Sequence, residues 1–473
     1  MQSVTRLAAT KPLSTKGDDM KRKTSRGRAF AMFATCALII GACGSDDDAS
    51  DEASAVTEAP VEETVPEVVL ASEECAIPVS EEAVNVDVMG WEFPIITQYA
   101  AELKECEAAN YTFNVQFLDS AEAQNQINLD LATGTPSFEM VQGSNQFLVE
   151  LARKGLLLPL NDLIDKYRDQ FGLDNIPQGM WDLVTVDGNI YSIPMVANTQ
   201  HVFYNEEILT KLGLTVPTTY EEAIAMCPKL IEGKYAGFQM MLSADWAWQI
   251  EYDNVLGSMG VKPIDNTTGQ PNFNSAEGVK AAQILADLVS KCGGKTIGTY
   301  STDDVQNAFQ TGEYAIGHLW ASRAASMDNA EATKAEVLGK IQFAPALTAG
   351  TVLGAPAYVD GYAIPAKGTT DAEKIFLAIL GASDEESQAA AAKFGGVTRD
   401  GVSNAGGPRN GDALSVSTSK GRGPDQTHPA AGIYRAEIGK ALIKILDGAS
   451  AADAIAAAEA AYIKEATAQK LLS

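Results

Sequence analysis

The stretch from Trp181 to Glu222 limits the possible folds of this chain more than any other part of its sequence. Residues 186–189 are a tight-turn signal between two runs of β-forming residues, and Pro194 ends the second run because proline cannot donate to a central ladder. Residues 200–205 then alternate between two faces, as a strand does, and helix starts follow, the second with Thr219 as its N-cap. This order of strand, crossing, strand and capped helix is typical of a chain that passes from one lobe to another.

Strands and helices alternate along the chain before this stretch. The sequence predicts strands at 84–89, 111–118 and 138–142, with helices at 95–107 and 121–133 between them. Such alternation predicts an α/β fold with a mostly parallel sheet that is covered on both faces. The part of the chain that can fold has about 390 residues, which is more than one hydrophobic core usually serves, so two domains are expected.

Residues 1–42 have the pattern of an export signal. A cationic segment at 21–28 precedes an apolar run, Ala29 to Ile40, that is too short to span a bilayer as a helix. Met20 is an alternative start to Met1. The run ends in Ile-Gly-Ala-Cys, which resembles the lipobox of bacterial lipoproteins, and a plain signal peptide is the alternative. We therefore expect lipid on Cys43 to anchor the protein to the outer face of the plasma membrane, in the cell envelope.

Residues 43–82 have the composition of a disordered acidic tether. Thirteen acidic residues and no lysine or arginine lie between 44 and 82, so the segment cannot bury enough apolar surface to offset the entropy cost of ordering. The full chain has a formal charge of −27. Without residues 1–42, which hold eight basic and two acidic residues, 27 basic and 60 acidic residues remain, a charge of −33. The remaining sequence has no basic patch, which excludes nucleic acid as a partner.

Several motifs of this chain together resemble one family. Residues 187–222 match the pattern DGxxYxxPxxxxxxxxxYNxxxxxxxGxxxPxTxxE. The segments at 155–160, 272–278 and 309–320 are similar to the motifs GLLxPL, FNSPE and FxxGxxAMxxxGxW. These motifs are typical of the family 1 extracellular solute-binding proteins of ABC importers, the group that includes maltodextrin-binding proteins.

The resemblance covers residues 84–473 and implies a two-lobed, type II periplasmic-binding-protein-like α/β fold with the ligand cleft between the lobes. Crossings near Pro194–Asn198 and Ala355–Gly361 would form the hinge. The chain departs from the family at Gly395–Arg399, where the usual proline after the glycines is missing, so the role of this loop stays open. The implied division is a signal peptide at 1–42, a tether at 43–82, lobe 1 at 83–195 plus 361–410, and lobe 2 at 196–360 plus 411–473.

Cysteine usage indicates an oxidising compartment. Cys36 lies in the predicted signal and Cys43 is the predicted lipid site, which leaves an even set that allows three pairings, namely Cys75, Cys106, Cys227 and Cys292. We predict the bridges Cys75–Cys106 and Cys227–Cys292, because each pair then lies within one of the implied lobes. A metal site is the alternative, but the sequence has no CxxC or Cys/His spacing that would favour one.

Aromatic and planar polar side chains gather at the predicted strand ends and loops. Flat indole faces can stack on the C–H faces of pyranose rings. Carboxylates, amides and guanidinium groups can each serve two sugar hydroxyls. The candidate ligand-binding residues are therefore Trp91, Glu92, Gln142, Ser144, Asn145, Asn198, Gln200, Asp245, Trp246, Trp248, Gln249, Trp320, Arg323 and Asp360.

The same residue types also have structural uses. A tryptophan is more often a core residue than a ligand contact, and we expect Trp181 and His201 in the core. Trp248 and Trp320 match family positions that commonly contact sugar, so the resemblance favours these two for the site. The acidic pairs at 206–207 and 303–304 open predicted helices, where they interact favourably with the helix dipole, and we expect them to be structural.

This mixture of side chains suggests a carbohydrate ligand, with an oligosaccharide favoured. The resemblance implies a monomeric lipoprotein that captures the ligand outside the membrane and delivers it to ABC permease subunits by hinge closure. No cofactor, metal or catalytic residue is predicted. One alternative is a binding protein for another solute, such as a peptide or polyamine. The other is a glycosidase that uses two carboxylates, for example Asp245 and Asp360, although the sequence has no HExxH, GxSxG or Gly-rich phosphate loop.

Overall fold

The computed structural model describes residues 75–242, 245–293, 300–368, 371–403 and 407–473. The predicted signal peptide, Cys43 and the tether as far as residue 74 lie outside this part of the chain, as do the side chains of Asp245 and Trp246. Among the described residues, no helix combines the length and the apolar character needed to cross a membrane.

Strands and helices alternate through the first part of the chain, as the sequence predicts. The strands are β1 (Val84–Trp91), β2 (Tyr111–Leu118), β3 (Met140–Ser144), β4 (Thr185–Val186), β5 (Asn189–Ile190), β6 (Val196–Asn198), β7 (Gln200–Asn205), β8 (Ile316–Trp320), β9 (Ile341–Ala344), β10 (Leu353–Pro356), β11 (Tyr358–Ala363), β12 (Gly396–Val397) and β13 (Gly421–Gly423). The helices are α1 (Pro94–Glu105), α2 (Ser120–Ala132), α3 (Asn145–Arg153), α4 (Asn161–Tyr167), α5 (Gln178–Leu183), α6 (Glu206–Leu212), α7 (Tyr220–Glu232), α8 (Asp245–Ser258), α9 (Ala276–Cys292), α10 (Thr302–Gln310), α11 (Ala372–Gly381), α12 (Glu385–Ala391), α13 (Gly411–Lys420), α14 (Ala431–Leu446) and α15 (Ala451–Ala468).

The first sheet has the strand order β12-β6-β11-β3-β1-β2. Strands β1, β2 and β3 are parallel, as predicted, but β11 runs antiparallel to both of its neighbours, β3 and β6. A second sheet, β8-β7-β9, is antiparallel throughout. The prediction of a mostly parallel sheet is therefore wrong outside β1 to β3. The reason is that β11 brings the chain back across the molecule without a crossover helix, so it enters the sheet from the opposite end.

Three hydrophobic clusters, one in the first lobe and two in the second, divide the described chain into lobes. The first core draws on residues 75–196 and 359–391, and we call the surrounding structure the first lobe. The second lobe surrounds β7, whose neighbouring residues Val202 and Phe203 belong to two different buried clusters. We call the larger cluster, which contains Val202, the second core. Because successive side chains of a strand point to opposite faces, the second sheet is buried on both sides. The predicted two-lobed α/β architecture is confirmed.

Both predicted disulfides are present. Cys75 is bonded to Cys106 and Cys227 to Cys292, with Cα atoms 5.2 and 4.9 Å apart. Gly381 makes room for the first bridge, because a Cβ there would lie 2.8 Å from the sulfur of Cys75. Cys75 and nearby Ile77 are fully buried in the first core. The prediction that the disordered tether extends to residue 82 is therefore wrong, because the bridge holds its last residues against the folded body.

The chain passes between the lobes at two tight points, and it returns to the second lobe a third time between β12 and α14. Strand β6 still pairs with β11 in the first sheet, so the first passage falls at Thr199, slightly beyond the 195/196 boundary suggested by the sequence. The return passage falls at Ala357, because β10 ends at residue 356 and β11 begins at residue 358. Gly361 is required there, because a Cβ would lie 2.0 Å from the carbonyl oxygen of Ile193.

The unusual loop at Gly395–Arg399 anchors the first lobe. The Thr398 hydroxyl donates to the Pro194 carbonyl at 2.7 Å, directly before the first passage. Arg399 Nη1 donates to the Phe171 and Gly172 carbonyls, each at 2.8 Å. The loop therefore has a structural role, with side-chain hydrogen bonds at the position where the family pattern has proline.

Candidate functional site

A cleft lies between the two lobes. It encloses about 750 Å³ of empty space, part of which is open solvent. Side chains of both lobes line it, namely Trp91, Phe93, Ser120, Gln124, Ser144, Gln146, Phe147, Glu150, Asn198, Ile250, Thr302, Trp320, Ser322, Arg323, Tyr358, Asp360 and Arg435.

The first sheet places several of these side chains through its strand ends. Trp91, Ser144 and Asn198 are the last residues of β1, β3 and β6, which all run in the same direction. Asp360 pairs with Ser144 across the adjacent strand. Parallel strands end at one edge of a sheet, and ligands collect there in open α/β folds. Of the sequence-predicted site residues, the structure brings these to the cleft: Trp91, Ser144, Asn198, Trp320, Arg323 and Asp360.

Aromatic rings form part of the cleft wall. The indole of Trp320 is partly exposed and packs edge-on against Tyr358, with ring centroids 5.0 Å apart and planes at 75°. Trp91 meets Phe147 in a similar way at 6.1 Å. Edge-on contacts leave the face of one ring available for other groups, so the wall offers a flat apolar surface beside polar side chains.

Asp360 is a buried carboxyl group at the cleft, with only 3% of its surface exposed. Gln142 Nε2 donates to its Oδ1 at 3.4 Å, which is a long hydrogen bond. Burial raises the pKa of Asp360 to about 7, although the Asn198 amide and the positive charge of Arg323 act in the opposite direction. A ligand that donates hydrogen bonds would therefore find an acceptor that the protein satisfies only in part.

Arg323 is a buried cation at the cleft with partners of its own. Its Nη1 donates to Asp303 at 2.8 Å and to Gln306 at 3.2 Å, and its guanidinium lies 5.7 Å from the ring centre of Phe93. Burial raises the pKa of Asp303 to about 6 despite Arg323. Both members of the 303–304 pair thus have structural contacts, in agreement with the expectation: Asp303 forms the ion pair with Arg323, and Asp304 forms a helix-capping box with Ser301.

Helix α3 of the first lobe joins the second lobe at the cleft wall. Gln146 Nε2 donates to Gln249 Oε1 at 2.9 Å, and the Tyr358 hydroxyl donates to Gln146 Oε1 at 2.7 Å. One turn further along, Glu150 forms an ion pair with Arg435 of α14. Burial lowers the pKa of Arg435 to about 10. Four of these residues line the cleft, namely Gln146, Glu150, Tyr358 and Arg435, so the contact between the lobes is part of the site.

Other predicted residues lie behind the cleft wall instead of facing the cleft. Gln142, Asn145, Gln200 and Gln249 are all buried. Asn145 accepts a backbone N–H from β11 at 3.2 Å, Gln200 donates to a second-lobe carboxylate at 3.2 Å, and Gln249 holds Gln146. Glu92 is exposed and lines an adjacent chamber. Buried amides must be hydrogen-bonded. The hydrogen bonds that these side chains form therefore hold the residues of the cleft wall in position.

Trp248 does not reach the cleft, contrary to the expectation from the family pattern. Its ring is 3% exposed and packs in the second core. The residue follows the start of α8, where it shares one helix face with the buried Tyr252 and Val255. The assignment of Trp248 to a loop was wrong, and the helix rotates its side chain inward. The predicted core positions of Trp181 and His201 are confirmed, since both are buried.

Sequence reasoning missed several lining residues. Gln146 and Phe147 follow directly after predicted residues, and Tyr358 lies within the predicted crossing, so these three had a positional signal. Arg435 had none, because it lies in an Ala-rich helix far along the chain. The other missed lining residues are Phe93, Ser120, Gln124, Glu150, Ile250, Thr302 and Ser322.

Residues 92–380 match the model of a family described as bacterial extracellular solute-binding protein. This chain belongs to that family. The match spans the first passage, the second sheet and the return to the first lobe, and all the lining residues except Trp91 and Arg435 lie within it. Among the curated relatives, a binding protein from Brucella abortus is 22% identical over 228 residues, 46% of this chain and 53% of the relative. The chain thus spans about half the length of the curated relatives that it matches.

Solved structures of low sequence identity share the fold. An ABC transporter solute-binding protein from Agrobacterium radiobacter, in complex with ribitol, is 20% identical with a TM-score of 0.69, covering 82% of this chain and all of that chain. A maltose-bound protein from T. maritima is 19% identical with a TM-score of 0.68, covering 80% and 99%. The predicted type II periplasmic-binding-protein fold is therefore confirmed.

Proposed function

We propose that this chain is the substrate-binding lipoprotein of an ABC importer and that its ligand is a carbohydrate. The observation that carries the proposal is a single cleft in which the partly exposed indole of Trp320 and the buried carboxyl of Asp360 occur together. An indole can stack on a sugar ring while a carboxylate accepts two hydroxyls. Similar structures are complexes with ribitol, maltose and D-mannitol, which supports this ligand class.

The charges at the cleft favour a neutral ligand. Arg323 is paired with Asp303, and Arg435 is paired with Glu150. Both lining cations described in the structure are therefore neutralised within the protein, and an anionic ligand would have to displace a carboxylate. Asp360 has amide and guanidinium neighbours but no ion pair within contact distance among the described residues. Hydroxyl groups would supply the missing donors without bringing in a charge.

Hinge closure is the mechanism that fits this architecture. The chain passes between the two lobes at Thr199, near Ala357 and once more between β12 and α14, and lining residues come from both lobes. A ligand favours the closed form to the extent that it contacts both lobes. We infer that the closed form delivers the ligand to the permease, while lipid on Cys43 holds the protein at the membrane surface.

Thermal unfolding of the purified protein with a panel of small molecules tests the ligand class. The panel contains neutral sugars and polyols, with spermidine and a tripeptide as non-sugar controls. A sugar at a hundred times its Kd should stabilise the fold by about 2.7 kcal/mol, which raises Tm measurably. Chromatography of the same samples should show the sugar unchanged, whereas a hydrolysis product would indicate a glycosidase. A response to spermidine or peptide alone would overturn the carbohydrate assignment.

A further inference from the structure

A second chamber adjoins the cleft. It holds about 1,350 Å³ of empty space, including the part open to solvent, and both lobes line it. Phe93 and Arg323 line this chamber and the cleft alike, and their ring and guanidinium lie 5.7 Å apart. One planar side chain from each lobe therefore marks the boundary between the two spaces.

The second chamber offers the same kinds of groups as the cleft. Phe117 and Phe394 are partly exposed aromatic rings in its wall. Gln98, Gln306 and Asn329 supply amides, which can donate to and accept from hydroxyls. Aromatic faces beside planar polar groups are the combination that binds sugar rings in water.

Elsewhere in the cleft wall, contacts between the lobes leave less room for a ligand to extend. The ion pair of Glu150 with Arg435 and the hydrogen bond of Gln146 with Gln249 join the lobes across this wall. A ligand longer than the cleft would have to break these contacts to extend there. Extension towards the second chamber passes the ring of Phe93 and the guanidinium of Arg323, which face each other from the two lobes at 5.7 Å. It leaves the hydrogen bond and the ion pair between α3 and the second lobe in place.

From this asymmetry we infer that the ligand has at least two sugar units and binds end-on. The terminal unit occupies the cleft at Trp320 and Asp360, and the next unit occupies the second chamber. The inference rests on the proposed carbohydrate function and adds the size class and the direction of the chain. Fold similarity leaves this size open, because related structures hold ligands as different as D-mannitol and cycloalternan.

Calorimetry with sugar series of increasing length tests the second subsite. The series are glucose, maltose and maltotriose; xylose, xylobiose and xylotriose; and N-acetylglucosamine with its dimer and trimer. In at least one series the dimer should bind at least tenfold more tightly than the monomer. Thr97→Trp places an indole in the second chamber from an exposed position of α1, and it should abolish this advantage while the monomer affinity stays unchanged. Thr210→Trp, at an exposed position of α6 outside both spaces, is the matched control.

The possible failures are distinct from one another. Equal affinities for monomer and trimer, or a chain-length advantage that survives in Thr97→Trp, would overturn the second subsite and leave the carbohydrate function standing. If no sugar of any series binds, both proposals fail. Equal melting temperatures of Thr97→Trp and Thr210→Trp without ligand would show that loss of the advantage does not come from misfolding.

Discussion

Trp248 and Trp320 have the same side chain but different surroundings. Trp248 is enclosed by the second core, whereas Trp320 ends β8 at the cleft and is partly exposed. An indole that is buried when the protein folds stabilises the fold, because its apolar surface is then removed from water. An indole that stays exposed after folding can instead lose that contact with water when a ligand binds. The two residues form a natural pair of test sites.

Replacing each indole should have opposite consequences. Trp320→Ala should weaken ligand binding by about 1.5–3 kcal/mol, roughly tenfold to a hundredfold in Kd, with a small effect on the ligand-free protein. Trp248→Ala should lower the free energy of unfolding by about 3–5 kcal/mol and leave the affinity of the folded fraction nearly unchanged. Calorimetry and thermal unfolding of both variants measure the two effects. The reverse pattern would move the site to Trp248.

Asp360 links the stability of the protein to pH. Burial raises its pKa from 3.8 to about 7, so between these values the folded protein keeps a proton that the unfolded chain releases. The contribution of this residue to stability therefore falls as pH rises from about 4 to 7, and the ionised form is unfavourable above 7. Asp360→Asn should raise Tm at pH 8 more than at pH 5, while it weakens sugar binding. An equal change in Tm at both pH values would contradict the buried, partly satisfied carboxyl.

Helix α3 carries a row of polar contacts with the second lobe, and we call this row the seam. Gln146, Glu150 and Arg153 are spaced by four and three residues, so they lie on one helix face. All three bond to the second lobe, since Arg153 donates to the carbonyl of Thr427 and the other two meet α8 and α14. A single helix thus carries polar contacts that exist only while the lobes are together.

Removing one charge from this seam should favour the open form. Glu150→Gln leaves Arg435 without its carboxylate in a site where the guanidinium is largely buried. Because Glu150 itself is partly exposed, the cost of closure should be about 1–2 kcal/mol, or roughly tenfold in Kd. Small-angle X-ray scattering should show a larger radius of gyration without ligand, and calorimetry should show weaker binding.

A matched control lies on the same helix as Arg435. Glu437→Gln removes an ion pair with Lys440 that lies within α14 and does not join the lobes. This variant should scatter and bind like the parent protein. If Glu150→Gln behaves in the same way as Glu437→Gln, the seam has no part in closure.

The proposed lipid on Cys43 would hold the whole protein at the membrane surface, so that it binds its ligand there. The second cysteine of the amino-terminal region, Cys36, lies inside the predicted apolar run. Cys43→Ser should therefore shift the protein from the membrane fraction to the medium or leave its signal uncleaved, whereas Cys36→Ser should leave membrane association unchanged. Fractionation with mass spectrometry of the amino-terminal peptide checks both. Membrane association of Cys43→Ser equal to that of the parent would contradict the anchor.

Local chemistry in the sequence determined the elements and several of their ends. Thr219 and Glu222 form the predicted capping box at the start of α7, and Ser275 caps α9. The even cysteine set paired as predicted, because bridges within a lobe need no contact between distant domains. The length of the chain predicted two domains, and the resemblance to the solute-binding family implied two lobes with a passage close to Thr199.

Tertiary structure alone decided which side chains face the cleft. The rotation of α8 buries Trp248, and the packing of α14 against α3 brings Arg435 to Glu150 from 285 positions away along the chain. Neither outcome has a local signal, because the phase of a short helix is set by the core onto which it packs. The direction of β11 was decided in the same way, by the return of the chain from the second lobe. The sequence by itself thus determined the parts and their order, and packing between distant segments determined the site.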